Sequence, residues 1–131
     1  MKEVRDPGAW ESGRPYSPAV KVDGWLYVSG HVPVKPTGET AGVNGKEQTV
    51  QVLENLQGTL LAGGSSLTEV VSTTVYLTNM SDISAVDDVY REAFGTGPYP
   101  SRTTVQISSL GRPEFRVEIS AVARVREANG P

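Results

Sequence analysis

Near the C-terminal end, the run YPSRTTVQISSLGRPEFRVEISAVARV places Arg102 near the start of one strand-like segment and Glu118 in the middle of another. A guanidinium fork can hold a carboxylate by two parallel hydrogen bonds, fixing orientation as well as charge. A carboxylate shielded from water holds its proton more tightly and becomes usable as a general base or acid. By residue type and spacing alone, each has an ordinary reading too. Arg102 can pair with a surface acid. Strict alternation sets Arg116, Glu118 and Ser120 on one face of a strand and Phe115, Val117 and Ile119 on the other, so the first set reads as a solvated face. Glu118 becomes a usable base only if something covers that face.

The other candidates are few. The chain has a single histidine, His31 in SGHVPV, which reads as a partly exposed strand-end residue before it reads as a catalytic base. One histidine and no cysteine leave little with which to build a histidine- or thiolate-based metal site. Tyr16 in RPYSPAV is either a packing aromatic or a hydroxyl donor. Thr103 and Thr104 are strand formers first and hydroxyl donors second. Asp87 and Asp88 read as helix-dipole charges on a solvated face. No phosphate-cradling glycine motif, GxSxG elbow or HExxH pair is present.

These residues need elements to hold them. Val20 and Val22 alternate with Lys21, Asp23-Gly24 is a turn signal, and Trp25–Val28 is a second strand, so the pair reads as a hairpin. KPTGETAGVNG breaks structure and reads as a loop. From Lys46 to Ala62, Val52, Leu53, Leu56 and Leu60 form a one-sided helical stripe closed by Gly63-Gly64. EVVSTTVYLTNM is rich in β-branched residues, with Val71, Thr73, Val75 and Leu77 in period two. SDISAVDDVYREAF sets Ile83, Val86, Val89, Tyr90 and Phe94 on one helix face, and GTGPYP ends it. Arg102–Ser108 and Phe115–Val125 are the last two strands. The order β-β-α-β-α-β-β predicts an α+β domain with both helices on one face of a sheet. Apolar residues on both sides of several strands make self-association the expected cover for the other face. Residues 1–14 read as a loosely held arm, 15–126 as the folded domain and 127–131 as a tail.

With 131 residues, 37% of them hydrophobic and 21% charged, the composition is that of one globular domain, burying roughly two thirds of its unfolded surface. Twelve Lys and Arg against fifteen Asp and Glu give a net charge of -3, the opposite of a nucleic-acid binder's basic stripe. The absence of cysteine suits a reducing cytoplasm. The N-terminus lacks a signal-peptide core and no apolar run approaches membrane-spanning length, so cytosol without membrane attachment is the expectation.

In order along the chain, PYSPAV, LYVSGHVPV, the segment from Gln48 to Phe94, PYPSRTTVQISSL and VEISAVA resemble the RidA/YjgF/YER057c/UK114 family of enamine/imine deaminases. The likeness runs from about Tyr16 to Val125, and PSRTTV followed by VEISAVA at this distance is its most specific part. The resemblance implies a chorismate-mutase-like fold and a homotrimer with sites in the clefts between subunits. It implies hydrolysis of 2-aminoacrylate- or 2-iminobutyrate-type imines to 2-keto acids and ammonia, as in a 2-iminobutanoate/2-iminopropanoate deaminase, with no metal or organic cofactor. Carried over, Arg102 binds the substrate carboxylate, Glu118 positions and activates water, and Tyr16 and the Gly30 backbone line the cleft. The chain departs from the family pattern at Thr104, where many members carry cysteine, at Pro18 and His31, where glutamine is common, at Asp87, where asparagine is frequent, and at Ser120, which replaces a second acid. Thr104, His31 and Asp87 are therefore the substrate-binding candidates that set specificity. The alternatives are a deaminase dedicated to one pathway intermediate of the 2-aminomuconate type, or a non-catalytic trimer binding small carboxylates. A ribonuclease reading, attached to some relatives, sits poorly with the acidic charge.

Overall fold

Apolar residues spaced by three and four bury one stripe of the long helix α1 (Gly45–Ala62), where Val52, Leu56 and Leu60 are fully enclosed. Its C-terminal end is closed at Gly63 as the sequence predicts, and its N-terminal end is capped by Asn44. The Asn44 side chain accepts from the Glu47 amide at 2.9 Å, and the Gly63 amide returns to the carbonyls of Thr59 and Leu60. The structure, a computed structural model, describes residues 1–126; the tail expected at 127–131 lies outside the described residues.

The strands are β1 (Lys2–Val4), β2 (Ala19–Val22), β3 (Trp25–His31), β4 (Val70–Leu77), β5 (Ser101–Gln106) and β6 (Val117–Arg124), with α2 (Ile83–Phe94) between β4 and β5. They form one sheet in the order β1-β2-β3-β6-β4-β5, mixed because β4 and β5 run parallel while the other neighbours are antiparallel. Asp23 and Gly24 both take positive φ, 51° and 83°, the conformation a two-residue hairpin turn requires, so β2 and β3 pair as the Asp-Gly signal predicts. Both helices pack on one face. The α+β architecture with two helices on a mixed sheet is thus as expected, and the core is a single cluster joining α1 and α2 to Leu26, Val75, Leu77, Val117 and Ile119.

Two details differ from the sequence reading. Lys2–Val4, expected to be part of a loose arm, is a sixth strand on the edge beside β2, held there by burial of Val4. In β4 the register against β6 shifts between Val70 and Ser72, so Val70 turns into the core and Val71 is exposed. A period-two pattern cannot see such a bulge, because the extra residue flips the face of everything before it. No helix among the described residues is long and apolar enough to cross a membrane.

The approach to β6 is fixed by one buried polar side chain. Gln48 on α1 is 1% exposed; its Nε2 donates to the Glu114 carbonyl at 2.9 Å, and its Oε1 accepts from the Arg116 amide at 2.7 Å. Arg116 then donates to both carboxylate oxygens of Asp82 just before α2, at 2.8 and 3.2 Å. Gln48→Leu keeps the volume but strands both backbone groups. It should destabilise the fold by about 1–3 kcal/mol, read as a lower urea midpoint at unchanged slope.

Candidate functional site

β5 carries Arg102 and Thr104 toward the helices. Arg102 is registered against Thr73 of β4, whose hydroxyl accepts from the Tyr90 hydroxyl at 3.0 Å, so all three lie on the α2 side of the sheet. The guanidinium lies 4.9 Å from the centre of the Tyr90 ring, an arrangement of cation over aromatic face. Its Nε donates to Thr104 Oγ1 at 3.0 Å and its Nη2 to Asp87 Oδ1 at 2.7 Å. Arg102 is only 22% exposed at the side chain. It opens on a cavity of about 280 Å³ lined by Asp87, Tyr90, Arg91, Tyr99, Pro100 and Arg102. Burial pushes the Tyr90 phenol pKa up, against its bond to Thr73 and the field of Arg102. Tyr90 therefore stays neutral and serves as a platform.

Asp87 corrects one expectation. α2 begins at Ile83, so Asp87 sits in its second turn rather than at the dipole end, and its carboxylate is aimed at Arg102. Asp88 does lie on the solvated face, in an exposed pair with Arg91. Thr104, where a thiol was the family expectation, holds the guanidinium by its hydroxyl.

β6 carries Glu118 to the opposite side of the sheet. Val117, Ile119, Ala121 and Ala123 are buried under the helices, so Glu118 projects from the other face, beside Tyr76 of β4. Its carboxylate is half-buried and pushed up in pKa by burial alone, with no hydrogen-bonding side chain among the described residues. It rests against Gly30. A Cβ at Gly30 would stand 2.2 Å from Glu118 Oε2 and 2.7 Å from its Cδ, so any side chain there would push the carboxylate out of this position.

Tyr16, Gly30 and His31 line a second cavity of about 350 Å³, roofed by the N-terminal segment through Trp10 and Arg14. The Tyr16 ring is half exposed and its hydroxyl accepts from Ser12 at 3.1 Å. His31 ends β3 with both ring nitrogens engaged, 2.7 Å from the Ser29 carbonyl and 2.8 Å from Thr59 Oγ1. Burial lowers its pKa, opposed by the Ser29 carbonyl and by Asp6, so the ring is neutral. Nδ1–H then donates to Ser29 and Nε2 accepts the Thr59 proton. A ring tied at both ends is a wall of the cavity, with no lone pair free to act as base.

Within one chain these residues form two groups. Arg102, Thr104 and Asp87 gather on the helix face at the edge of the sheet; Glu118 and Gly30 meet at its other face; Tyr16 and His31 line the cavity that Gly30 borders, with His31 turned to Thr59 of α1. Tyr90 and Tyr99 were missed as site residues. In the sequence Tyr90 carries the signal of a core aromatic; its ring under the guanidinium, held by the hydroxyl bond to Thr73, marks it as the support of Arg102. Among the described residues no three His, Asp or Glu side chains gather as a metal-ligand set.

Residues 8–125 match the Endoribonuclease L-PSP family. A RutC family protein from Pyrococcus horikoshii is 42% identical over 110 residues, covering 83% of this chain and 86% of that protein. The 2-iminobutanoate/2-iminopropanoate deaminase of Mus musculus is 40% identical over 110 residues, covering 83% of this chain and 80% of the mouse protein. Among solved structures, E. coli TdcF with bound serine superposes with a TM-score of 0.88 at 30% identity, covering 97% of this chain and all of that one (100%). The two-helix, mixed-sheet architecture is that of these relatives, and the chain belongs to the Endoribonuclease L-PSP family, the RidA/YjgF family its motifs resemble.

Proposed function

We propose that this chain hydrolyses reactive enamines and imines of small 2-amino acids, of the 2-aminoacrylate and 2-iminobutyrate type, to 2-keto acids and ammonia. It acts as a homotrimer in the cytosol, with sites between subunits. The observation that carries this reading is Glu118: a half-buried carboxylate, raised in pKa, without a hydrogen-bonding side chain among the described residues, resting against Gly30 where a Cβ would displace it. A structural carboxylate would be expected to have a cationic or N–H partner, as Asp82 and Glu69 do here. The 2-iminobutanoate/2-iminopropanoate deaminase named in mouse and the serine bound by the E. coli neighbour agree with a small amino-acid-derived substrate.

Arg102 and Glu118 face opposite sides of one sheet, so the site takes Arg102, Thr104 and Asp87 from one subunit and Glu118, Gly30 and Tyr16 from its neighbour. The open face supplies the surface for this assembly. Trp25 and Tyr27 are 39% and 47% exposed there, Val122 lies opposite Tyr27, and Tyr76 lies opposite Glu118 further along β6.

The chemistry then needs no side-chain nucleophile. Arg102 takes the substrate carboxylate on its free N–H groups, which fixes C2 beside a water. The reacting form is the iminium, which an enamine reaches by taking a proton from water at C3. Glu118 accepts a proton as the water oxygen bonds to C2 and the C=N electron pair withdraws to nitrogen. The carbinolamine takes that proton on nitrogen, the C–N bond breaks as ammonia leaves, and the remaining hydroxyl closes to the ketone with loss of its proton. The sum is one water consumed and one ammonia released.

A coupled assay tests the reading: 2-iminobutyrate is generated from threonine by a dehydratase, and release of 2-ketobutyrate is followed. The protein should accelerate it, and Arg102→Ala should forfeit roughly 3 kcal/mol of that acceleration, about a hundredfold. No acceleration with any small imino acid would overturn the reading in favour of a dedicated deaminase or a carboxylate-binding trimer.

Glu118 and Gly30 give two further outcomes. Catalysis needs the Glu118 carboxylate ionised, so the rate should rise with pH through an apparent pKa above the ordinary 4.5. The same shift sets the sign of its stability effect. A raised folded-state pKa means the fold prefers the protonated acid, so the Glu118 contribution is fully present below 4.5 and is lost as pH rises through the folded-state pKa. Thermal melts should therefore show wild type losing ground to Glu118→Gln over that window. Gly30→Ala must displace the carboxylate, and should lower kcat at least tenfold with the circular-dichroism spectrum unchanged, a loss of about 1.4 kcal/mol in transition-state stabilisation.

A further inference from the structure

The Arg102 cavity presents a cation and an anion side by side, and this pairing bears on which ligands it accepts. Among the described residues Arg102 is the only full positive charge held inside it; Arg91, the other cation on its lining, is mostly exposed and turned to Asp88 at 3.3 Å. Both tyrosine rings are accounted for, since Tyr90 donates to Thr73 and Tyr99 donates to the Gly95 carbonyl at 2.9 Å. The polar groups left for a ligand are the unengaged N–H groups of Arg102 and the second oxygen of Asp87, Oδ2, which has no hydrogen-bond partner among the described residues. Asp87 Oδ1 lies 2.7 Å from Arg102 Nη2, so donor and acceptor are adjacent.

We propose that Asp87 is a specificity-determining residue that reads the cationic nitrogen next to the substrate carboxylate. The inference rests on the Arg102 carboxylate site proposed above and adds a second contact to it. A 2-imino acid in its iminium form, like a 2-amino acid, carries a carboxylate and a positive N–H group on neighbouring carbons. The carboxylate sits on Arg102 and the nitrogen donates to Asp87, so both charges of the pair and both charges of the ligand are matched. A 2-keto acid brings the carboxylate but only a carbonyl oxygen where the nitrogen was. That oxygen faces an anion with nothing to donate, and the net negative ligand meets a site whose own charges sum to zero. Asp87 thus favours substrate over product at the point where the reaction exchanges nitrogen for oxygen.

Asp87 and its partner are both partly screened, so the discrimination is modest: about tenfold in relative affinity, as expected for one charge-assisted contact. Two stable probes test it without turnover, 2-aminobutanoate and 2-oxobutanoate, titrated by calorimetry or amide chemical shifts into the intact protein at neutral pH. Wild type should prefer the amino acid. Asp87→Asn should shift the ratio toward the keto acid by about tenfold while Asp87→Glu keeps the wild-type order. A ratio in Asp87→Asn within twofold of wild type overturns the inference, provided Arg102→Ala weakens both probes. If Arg102→Ala leaves both probes bound as before, the Arg102 carboxylate site itself falls, and the inference falls with it.

Discussion

The covered face of the sheet is the constraint on which the rest of the structure depends. β6 is a central strand between β3 and β4, and α1 and α2 bury Val117, Ile119, Ala121 and Ala123 along it. A strand alternates, so burying these four side chains under the helices forces Glu118, Ser120 and Val122 to the other side. The same rule runs through β4, where Thr73, Val75 and Leu77 point inward, and through β5, whose register against β4 sends Arg102 and Thr104 the same way. Each fully buried Leu or Ile adds roughly 1.5–3 kcal/mol, so no single polar residue on these strands can reverse the assignment of faces. Arg102 and Glu118 are therefore separated by the core itself. On the face that bears Glu118, Trp25 and Tyr27 stay partly exposed, an apolar surface on the side of the sheet that the helices leave uncovered.

That separation explains how much of the molecule was legible beforehand. Both helices were readable because their apolar stripes are one-sided and their ends are punctuated: for α1 the Leu56–Leu60 spacing and Gly63 state the same answer, while the Asn44 cap lay inside a run read as loop. The Asp-Gly hairpin was readable for the same reason. β1 was not, since three residues with one buried valine carry no period, and its pairing with β2 is a long-range event. The face of Glu118 followed correctly from alternation. Its half-burial did not, because the niche depends on Gly30, whose missing side chain leaves no mark on a hydrophobic pattern. Spacing alone relates Asp87 to α2 and makes it a helix charge, and only the family motifs mark it as a binding candidate, because its partner Arg102 lies on another element. Residue type suggested what Arg102 and Glu118 could do; only the family motifs linked them, and only the fold shows that one chain cannot bring them together.

The arginines show how the fold distinguishes a structural cation from one left available. Arg116 donates through Nε and Nη2 to both oxygens of Asp82, a side-on bidentate pair that fills that edge of the fork and raises the Arg116 pKa. Its role ends with pinning the start of β6 to the entry of α2. Arg124 and Arg126 share the carboxylate of Glu69, whose pKa falls under their hydrogen bonds, and tie the end of β6 to the turn before β4. Arg102 is held differently. A neutral hydroxyl takes its Nε, an aromatic face takes its plane, and a single carboxylate oxygen takes one Nη2 hydrogen. Such a hold fixes the direction of the fork while leaving its outer N–H groups open to the cavity.

Fixing direction without filling the fork matters energetically because an arginine side chain carries about 2 kcal/mol of rotamer freedom that a free guanidinium would lose on gripping a ligand. Here Thr104, Tyr90 and Asp87 remove that freedom at folding, so the loss is not charged against binding. Asp87 has a second effect that the two neutral supports lack. It cancels most of the field that would otherwise draw any anion to Arg102, so charge alone no longer selects the ligand. Recognition then falls to the pattern of donors and acceptors around the guanidinium. In a site where substrate and product share the same carboxylate and differ in the atom beside it, a charge-balanced arginine discriminates where a bare one would attract both.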